Sequence, residues 1–426
     1  MSVLQMGTAA TNALFLEFIL PGLNIEIREN TKMYDRFKTD KESVVGKYAV
    51  FKCLTAAPQS ARPSSSSTLP TPKQGTYAEF LLYMKRAMYA TLQFDGLAVA
   101  CGKGKGAVMS LLKAELKGIG ITISNKLNRQ FWGDGSGRLA QLAAAVSNSV
   151  TATVNGPLFG QDSNGYTAPS QYLDAGMSVD VYTTAGVLQA EDITISSISK
   201  GGAGTDTLTM ASAITADDDA YLFDHDTYAS SQAAGTGVPM GLTGIISTSD
   251  PYTGITSTDF QNIDRSTYVW ARAQSVAMGS VAITPEKILE LIMEVEHFGR
   301  VGSLWTNEVI WRAMFKIFGV DVTMPNETAL WQGLESLAFY GGRKGKIPIF
   351  SDSDCPDNTM VALDESLLTV YAPTDNGLTW IPGDNGILSR VQGKDELTAQ
   401  LVWYNNFGTP KPQGLGRLTA IKHAAS

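Results

Sequence analysis

Apolar residues recur along this chain with two different periods, and the switch between them marks out its parts. From Ala107 to Gly137 the period is helical: Val108, Leu112, Leu116, Ile119, Ile123, Leu127 and Phe131 step by three or four and fall on one stripe. Lys113, Lys117, Lys126 and Arg129 fall off that stripe and are expected to face solvent or a loosely held polyanion. Gly133-Asp134-Gly135-Ser136-Gly137 then stops the helix, because glycine reaches φ > 0 without steric cost. A helix of this length is expected to be the spine on which the rest is laid.

Upstream, strand-like runs replace the helical period. Ser43 to Leu54 (Val44, Val45, Tyr48, Val50, Phe51) and Thr76 to Phe94 (Tyr77, Phe80, Tyr83, Met84, Met88, Tyr89, Leu92) predict the two strands of a long hairpin. Thr55 to Gly75, rich in Ser, Pro and Thr, is its tip. A lone hairpin cannot cover its apolar face, so it must lie on something, and no adjacent segment is an obvious cover. An arm reaching over another subunit is the expectation. Residues 1–42 read as a further arm with one short helix, Asn12 to Leu20, and an arm without its own core borrows one from a neighbour.

Downstream of the spine, short alternating runs at Val179 to Tyr182, Ile193 to Ile198 and Thr207 to Met210 lie between Gly-rich turns. Strands at that spacing predict a small all-β, barrel-like domain over Val150 to Tyr228. The helical period then returns. Thr284-Pro285 starts a helix that buries Ile288, Leu291, Ile292 and Val295; a second runs from Glu308 to Phe318; a third begins at Asn326. Strands are expected at Ile347 to Phe350, Thr359 to Leu363, Leu367 to Ala372, Gln400 to Tyr404 and Arg417 to Ile421, which makes this half, and the chain as a whole, α+β.

Composition narrows what such a chain could do. With 426 residues, 44% hydrophobic and 17% charged, it can bury two or three cores. A net charge of −8 argues against a protein that reads nucleic-acid sequence, so any contact with nucleic acid is expected to be loose. Cys53, Cys101 and Cys355 form no CxxC pair and suggest neither a disulfide framework nor a zinc knuckle. Ala13 to Leu23 is apolar but interrupted by Glu17 and Pro21, against a signal peptide or membrane span.

Candidate chemistry is sparse. Three histidines (His225, His297, His423) offer no triad and no HExxH spacing, and Ser136 sits in no GxSxG elbow. Asp217-Asp218-Asp219 and Asp224-His225-Asp226 carry hard-cation donors, but in a spacing unlike an EF-hand, so a solvated acidic loop stays open beside a cation site. No catalytic, cofactor-binding or metal residues are assigned. Gly102-Lys103-Gly104-Lys105-Gly106 lacks the P-loop spacing and reads as a hinge into the spine; Gly341 to Lys346 reads as a basic turn.

Arm, hairpin, spine, glycine turn, β-domain and α+β domain follow one another in an order that resembles the major capsid proteins of tailed bacteriophages with the Hong Kong 97 type fold. Two stretches carry the resemblance: Tyr83-Met84-Lys85-Arg86-Ala87-Met88-Tyr89-Ala90-Thr91-Leu92, where that family's hairpin returns to the body, and Leu127 to Gly137, where the spine ends in a Gly-Asp-Gly turn. The resemblance implies an arm over 1–42, an extended loop over 43–95 and a peripheral domain with the spine over 96–149. It further implies an inserted β-domain over 150–228, a connection over 229–265, an axial domain over 266–372 and peripheral strands over 373–426.

It implies a structural protein, not an enzyme, that assembles as hexamers and pentamers into an icosahedral virion shell around double-stranded DNA in the host cytoplasm. Scaffolding protein, as a separate chain, portal and decoration proteins are the implied partners, with no membrane and no cofactor. Lys73, Tyr83, Lys85, Arg86 and Tyr89 are then expected at subunit contacts, and Lys113, Lys117, Lys126 and Arg129 on an inner face near DNA. Nothing around Lys73 or Asn405-Asn406 supports carrying over the Lys–Asn crosslink of some members. An encapsulin-type compartment and, from another class, a cytoplasmic hydrolase are the alternatives.

Overall fold

The computed structural model describes residues 31–422 except 32, 34–35, 57, 59–60, 62, 64–70, 72, 96–104, 156–168, 202–204, 230–236, 249–259, 319–336, 341–342, 344, 374–376, 383–388, 391–392 and 395. Side chains are described in those segments apart from 94–95, 105–116, 315–318, 337–338, 340, 390 and 397. The expected helices at Asn12 and Asn326, most of the hairpin tip, Cys101 and the start of the hinge lie outside the described residues.

The spine is a helix over Lys105–Trp132. Its expected stripe is buried at Ile123, Leu127 and Phe131, with Ile119 packed at the edge. Propensity alone would not hold it, since Gly118 and Gly120 each cost about 1 kcal/mol in a helix interior. Packing into the largest core does, against Phe37, Leu92, Met240, Leu242, Trp403 and Phe407.

The glycine turn is built as much by Asp134 as by its glycines. Gly135 and Gly137 take positive φ (84° and 80°). The buried Asp134 carboxylate accepts from Ser136 N (2.9 Å) and Ser136 Oγ (2.5 Å), and pairs with Arg138 at 2.7 Å. A short helix over Leu242–Ile245 closes the spine's C-terminal end. Thr243 Oγ1 donates to Trp132 O at 2.5 Å, capping a carbonyl the spine leaves without an intrahelical partner. Arg265, fully buried, donates to Gly244 O (2.6 Å) and Ser247 O (2.7 Å) and lies over the Phe260 ring at 3.6 Å.

Among the described residues there are four β structures. The first sheet runs Lys38–Asp40, Thr369–Tyr371, Glu396–Gly408, Thr379–Trp380, with Lys85–Asp95 and Ser389–Arg390 also paired to Glu396–Gly408. A second sheet of six strands runs Gln274–Val281, Gly416–Ile421, Met360–Leu363, Ser303–Thr306, Lys346–Ser351, Leu337–Tyr340. Helices Pro285–Glu296 and Glu308–Phe318 contribute to its separate core, with Ile288, Leu291, Ile292 and Val295 all buried as expected. A closed six-stranded barrel has a third core. The hairpin, strands Val44–Val45, Tyr48–Ala56 and Thr76–Tyr83, is the fourth. Among the described residues, no helix is long and apolar enough to cross a membrane.

Four expectations are corrected. The hairpin's return strand is two strands: Thr76–Tyr83 pairs with Tyr48–Ala56, and after Met84 the chain pairs instead with Glu396–Gly408. The barrel starts at Arg138 rather than Val150, because Arg138–Leu142 leaves the glycine turn directly into it. The last strand, Gly416–Ile421, belongs to the second sheet rather than to a peripheral set over 373–426. The described end of the arm does not depend on a neighbour for its core: Met33 and Phe37 are buried here, Phe37 stacks on Phe131 (4.9 Å), and Arg36 pairs with Glu365 at 3.0 Å while covering the Phe350 ring.

Two glycines test whether the joint or helical propensity limits stability. A Cβ at Gly241 would lie 2.2 Å from Gln130 O and 2.4 Å from Phe131 O, both backbone atoms, whereas one at Gly118 meets nothing within 4 Å. Gly241→Ala is expected to cost about 3 kcal/mol or more and Gly118→Ala to gain about 0.5–1 kcal/mol, opposite signs in one thermal-unfolding series.

Candidate functional site

Register sorts the hairpin side chains into two faces, because successive residues of a strand point to opposite sides. Ala49 opposite Leu82, Phe51 opposite Phe80 and Cys53 opposite Ala78 form the inner face. It is covered by this same chain: Phe51 stacks on Tyr371 (4.9 Å, 4°), and Phe80, 0% exposed, meets Phe260 (6.2 Å) and Trp270 (5.8 Å). Burial pushes the Cys53 thiol up from its ordinary pKa. The cover missing from the sequence is thus supplied by segments far along the chain.

The outer face is left partly open among the described residues, half-buried at Val50, Leu81 and Tyr83 and exposed towards the tip and the Val45 end. Tyr48 lies opposite Tyr83, Val50 opposite Leu81, Lys52 opposite Glu79 and Leu54 opposite Tyr77, and Val45 joins them through its pairing with Tyr48. Tyr77 is 66% exposed, Val45 61% and Leu54 50%. Single exposed apolar residues are ordinary, but cross-strand apolar pairs in register, interrupted by one pair of opposite charges, form a surface suited to a partner. The base is held firmly: Leu81 N donates to Gln261 O (3.1 Å), Met84 N to Lys47 O (2.9 Å) and Asn406 Nδ2 to Tyr83 O (2.8 Å).

The residues singled out in the sequence divide on this frame. Lys73 is exposed beside the tip, Tyr83 is half-buried with its ring edge-on to Tyr48 (6.2 Å), and Arg86 and Tyr89 are exposed beyond the bend at Met84. Lys85 is corrected: at 1% exposure it is inside the chain, opposite Asn405, and presents nothing to a neighbour. Tyr48, Leu54 and Tyr77 were legible as strand residues, but only the register shows that they share the open face.

The four cations of the spine also divide. The Lys113 side chain lies outside the described residues, and Lys117 is exposed. Lys126 and Arg129, expected to face solvent or a polyanion, have partners within the chain. Lys126 pairs with Asp224 of the barrel at 2.5 Å, and Arg129 sits over the Tyr172 ring (5.7 Å), where burial lowers its pKa. In the basic turn it is the backbone that is engaged: Arg343 N–H donates to both oxygens of the buried Glu296 carboxylate (2.7 and 2.9 Å), while the residue stays exposed.

The acidic stretch Asp217 to Asp226 breaks into separate contacts. Gln141 Nε2 donates to Asp219, and Asp224 holds Lys126. Among the described residues, Asp180, His225 and Asp226 bring ligand-type atoms within 4.8 Å of one another. Asp180 already accepts from Asp192 N (2.8 Å) and Asp226 N (3.0 Å) and shares a hydrogen bond with His225 Nδ1 (2.8 Å). These contacts satisfy the carboxylate as a structural tie between barrel strands.

No protein-family model and no curated protein matches this chain. Among solved structures, it is similar to the capsid of cyanophage A-1(L), with TM-score 0.47 and 13% identity over 92% of this chain and 93% of that one. It is similar to the capsid of Myoviridae phage XM1, with TM-score 0.45 and 8% identity over 92% of each chain. It is also similar to the SrpI encapsulin of Synechococcus elongatus, with TM-score 0.28 and 13% identity over 36% of this chain and 54% of that one. At these TM-scores, all below 0.5, the likenesses carry no assignment of function.

The two hairpin faces respond oppositely to truncation. Phe80→Ala is expected to lower the stability of the chain by about 3–5 kcal/mol, and Leu54→Ser with Tyr77→Ser to change it by less than about 0.5 kcal/mol each, in urea unfolding.

In the barrel, the hydrogen bond to Asp180 raises the His225 pKa above its usual 6.5. Its stabilisation is therefore complete below about pH 6.5 and lost as pH rises through the folded value. The Asp180 pKa is lowered: burial alone would raise it, but the hydrogen bonds from Asp192, His225 and Asp226 outweigh burial. That contribution is present above about pH 4 and lost below the folded value. His225→Gln is expected to flatten the alkaline limb of barrel stability, followed by hydrogen exchange of residues 178–182.

Proposed function

We propose that this chain is the major capsid protein of a tailed bacteriophage, many copies of which close into the icosahedral shell around a double-stranded DNA genome. The observation that supports this most is the hairpin: anchored rigidly at its base, packed by its inner face on its own body, and carrying an in-register apolar outer face left partly open among the described residues. Such a surface is costly on a solitary protein and useful on one that is always joined to copies of itself.

Shell assembly needs large repeated interfaces that are individually modest, so that misplaced subunits dissociate before closure. The outer face fits this requirement. It offers broad contact without a deep pocket, and the opposed Lys52 and Glu79 in its middle can set register against a neighbour. Arg86 and Tyr89 extend the contact beyond the bend, and Lys73 lies at its far end. Hexamers and pentamers of this chain are the implied assemblies, with scaffolding, portal and decoration proteins as partners, formed in host cytoplasm and retained in the virion.

Contact with packaged DNA is loose in this account. Lys117, with Lys113 one helical turn away, would supply weak screening from the inner face, while Lys126 and Arg129 serve the junction between spine and barrel.

Negative-stain electron microscopy of the chain, expressed alone and with its genomic neighbours, is expected to give closed shells or curved sheets with five- and six-fold clusters. Leu54→Glu with Tyr77→Glu is expected to yield folded subunits and at least tenfold fewer particles. Only small soluble particles under both conditions, from wild-type chain, would contradict the shell reading.

A further inference from the structure

Three parts of the molecule meet at one polar junction that the shell reading does not use. Asn128 of the spine donates through Nδ2 to both Asp352 Oδ1 (3.1 Å) and Asp354 Oδ2 (2.6 Å), on the loop that leaves strand Lys346–Ser351 of the second sheet. From the connection between barrel strands Val146–Asn155 and Ser178–Tyr182, Gln171 Nε2 donates to Asp354 Oδ1 (3.1 Å) and Ser353 O (3.3 Å). A single carboxylate therefore receives one donor from the spine and one from the barrel's connection, with a second carboxylate beside it. Asp354 N also donates to Asp352 Oδ1 (2.9 Å), which fixes the two acids side by side.

We propose that Asp354, held beside the Asp352 carboxylate, is a proton-operated latch, in which a proton taken up by Asp354 tightens the hold of the second-sheet loop on the spine and the barrel. Two ionised carboxylates held together repel each other; one proton relieves the repulsion and keeps acceptor oxygens for Asn128 and Gln171. Opening the junction hydrates Asp354 and removes the penalty, so the open state is favoured where both acids are charged.

The surroundings give the direction. Burial, then the Asp352 charge, push Asp354 up to about 6, and the hydrogen bonds from Asn128 and Tyr172 and the Arg129 charge offset this only in part. Arg129 faces the site from the spine, with Asp224, paired to Lys126, behind it; Tyr172 faces it from the barrel side; Asp357 and the buried Cys355 face it from the loop itself. The Tyr172 hydroxyl and Cys355 thiol are both pushed further from ionising by burial, so they add no charge at neutral pH.

The sign is opposite to that of an ordinary paired aspartate. Because the closed state binds the proton more tightly than the open one, the latch is fully firm only below the ordinary aspartate value of about pH 4 and loses its hold as pH rises through about 6. The inference does not rest on the chain forming a shell.

The test is amide hydrogen exchange of the full chain between pH 7.5 and 5.0, corrected for intrinsic exchange rate and read in peptides covering residues 169–177 and 351–358. Protection of both is expected to stay level above about pH 7 and to rise together below about pH 6, about tenfold by pH 5.0, one pH unit below the closed-state value being worth a factor of ten. Asp354→Asn is expected to abolish the rise, and Asp352→Asn, which removes the neighbouring charge but not the burial, to move its onset to lower pH. Unchanged protection across the range in wild-type chain, or a rise that persists in Asp354→Asn, would overturn the proposal. Should Asp354→Asn not fold, the Asp352→Asn onset decides alone: an unmoved onset overturns the proposal.

Discussion

The buried carboxylate of Asp134 is the constraint on which the rest depends. It holds Ser136 and Arg138 in the turn that ends the spine, and Arg138 is already the first residue of the barrel. The geometry of one side chain therefore fixes how a helix of the main core hands over to an independent β core. A buried ion pair contributes little net stability compared with an apolar substitute, but removing one partner leaves an unpaired charge, so such a pair imposes geometry more than it adds free energy. Gly241 locks the same joint from the other side, lying against the spine's last carbonyls more closely than a side chain would permit, and the guanidinium of Arg265 ties the segment that follows through Gly244 O and Ser247 O.

With the joint set, the hairpin's two faces acquire different roles. Contacts at Gln261, Tyr371 and Asn406, far apart in sequence, converge on its base and inner face. This long-range covering lets the outer face stay apolar without collapsing onto the body. Local β-pairing supplies the lever, tertiary packing stiffens it, and the partly open cross-strand pairs supply the surface that we propose meets a second copy. Lys126 and Arg129 illustrate the same economy of use: cations on the spine are taken up by Asp224 and Tyr172 to hold the barrel in place.

Much of this was legible in the sequence, for identifiable reasons. The spine, the helix from Pro285 and the strands around Ile347, Thr359 and Arg417 show strong local periodicity or caps, and each is found close to its expected place. What local pattern does not encode is pairing. The unbroken strand-like run from Thr76 to Phe94 concealed a change of partner at Met84, since both halves are strand and only their neighbours differ. Lys85 looked like a surface cation because Lys usually is, and its burial follows from the register opposite Asn405. The acidic run at Asp217 looked like one cluster, but the barrel turns its members towards different partners, and Asp180, the acid that meets His225, lies far upstream.

The central claim is that the outer face of the hairpin is completed by a neighbouring copy of the same chain. A cryo-electron microscopy map of assembled particles tests it most directly. The account predicts closed shells in which Val45, Tyr48, Leu54 and Tyr77 lie against an adjacent subunit, with Lys52 or Glu79 meeting an opposite charge. Shells in which that face looks into solvent would contradict it.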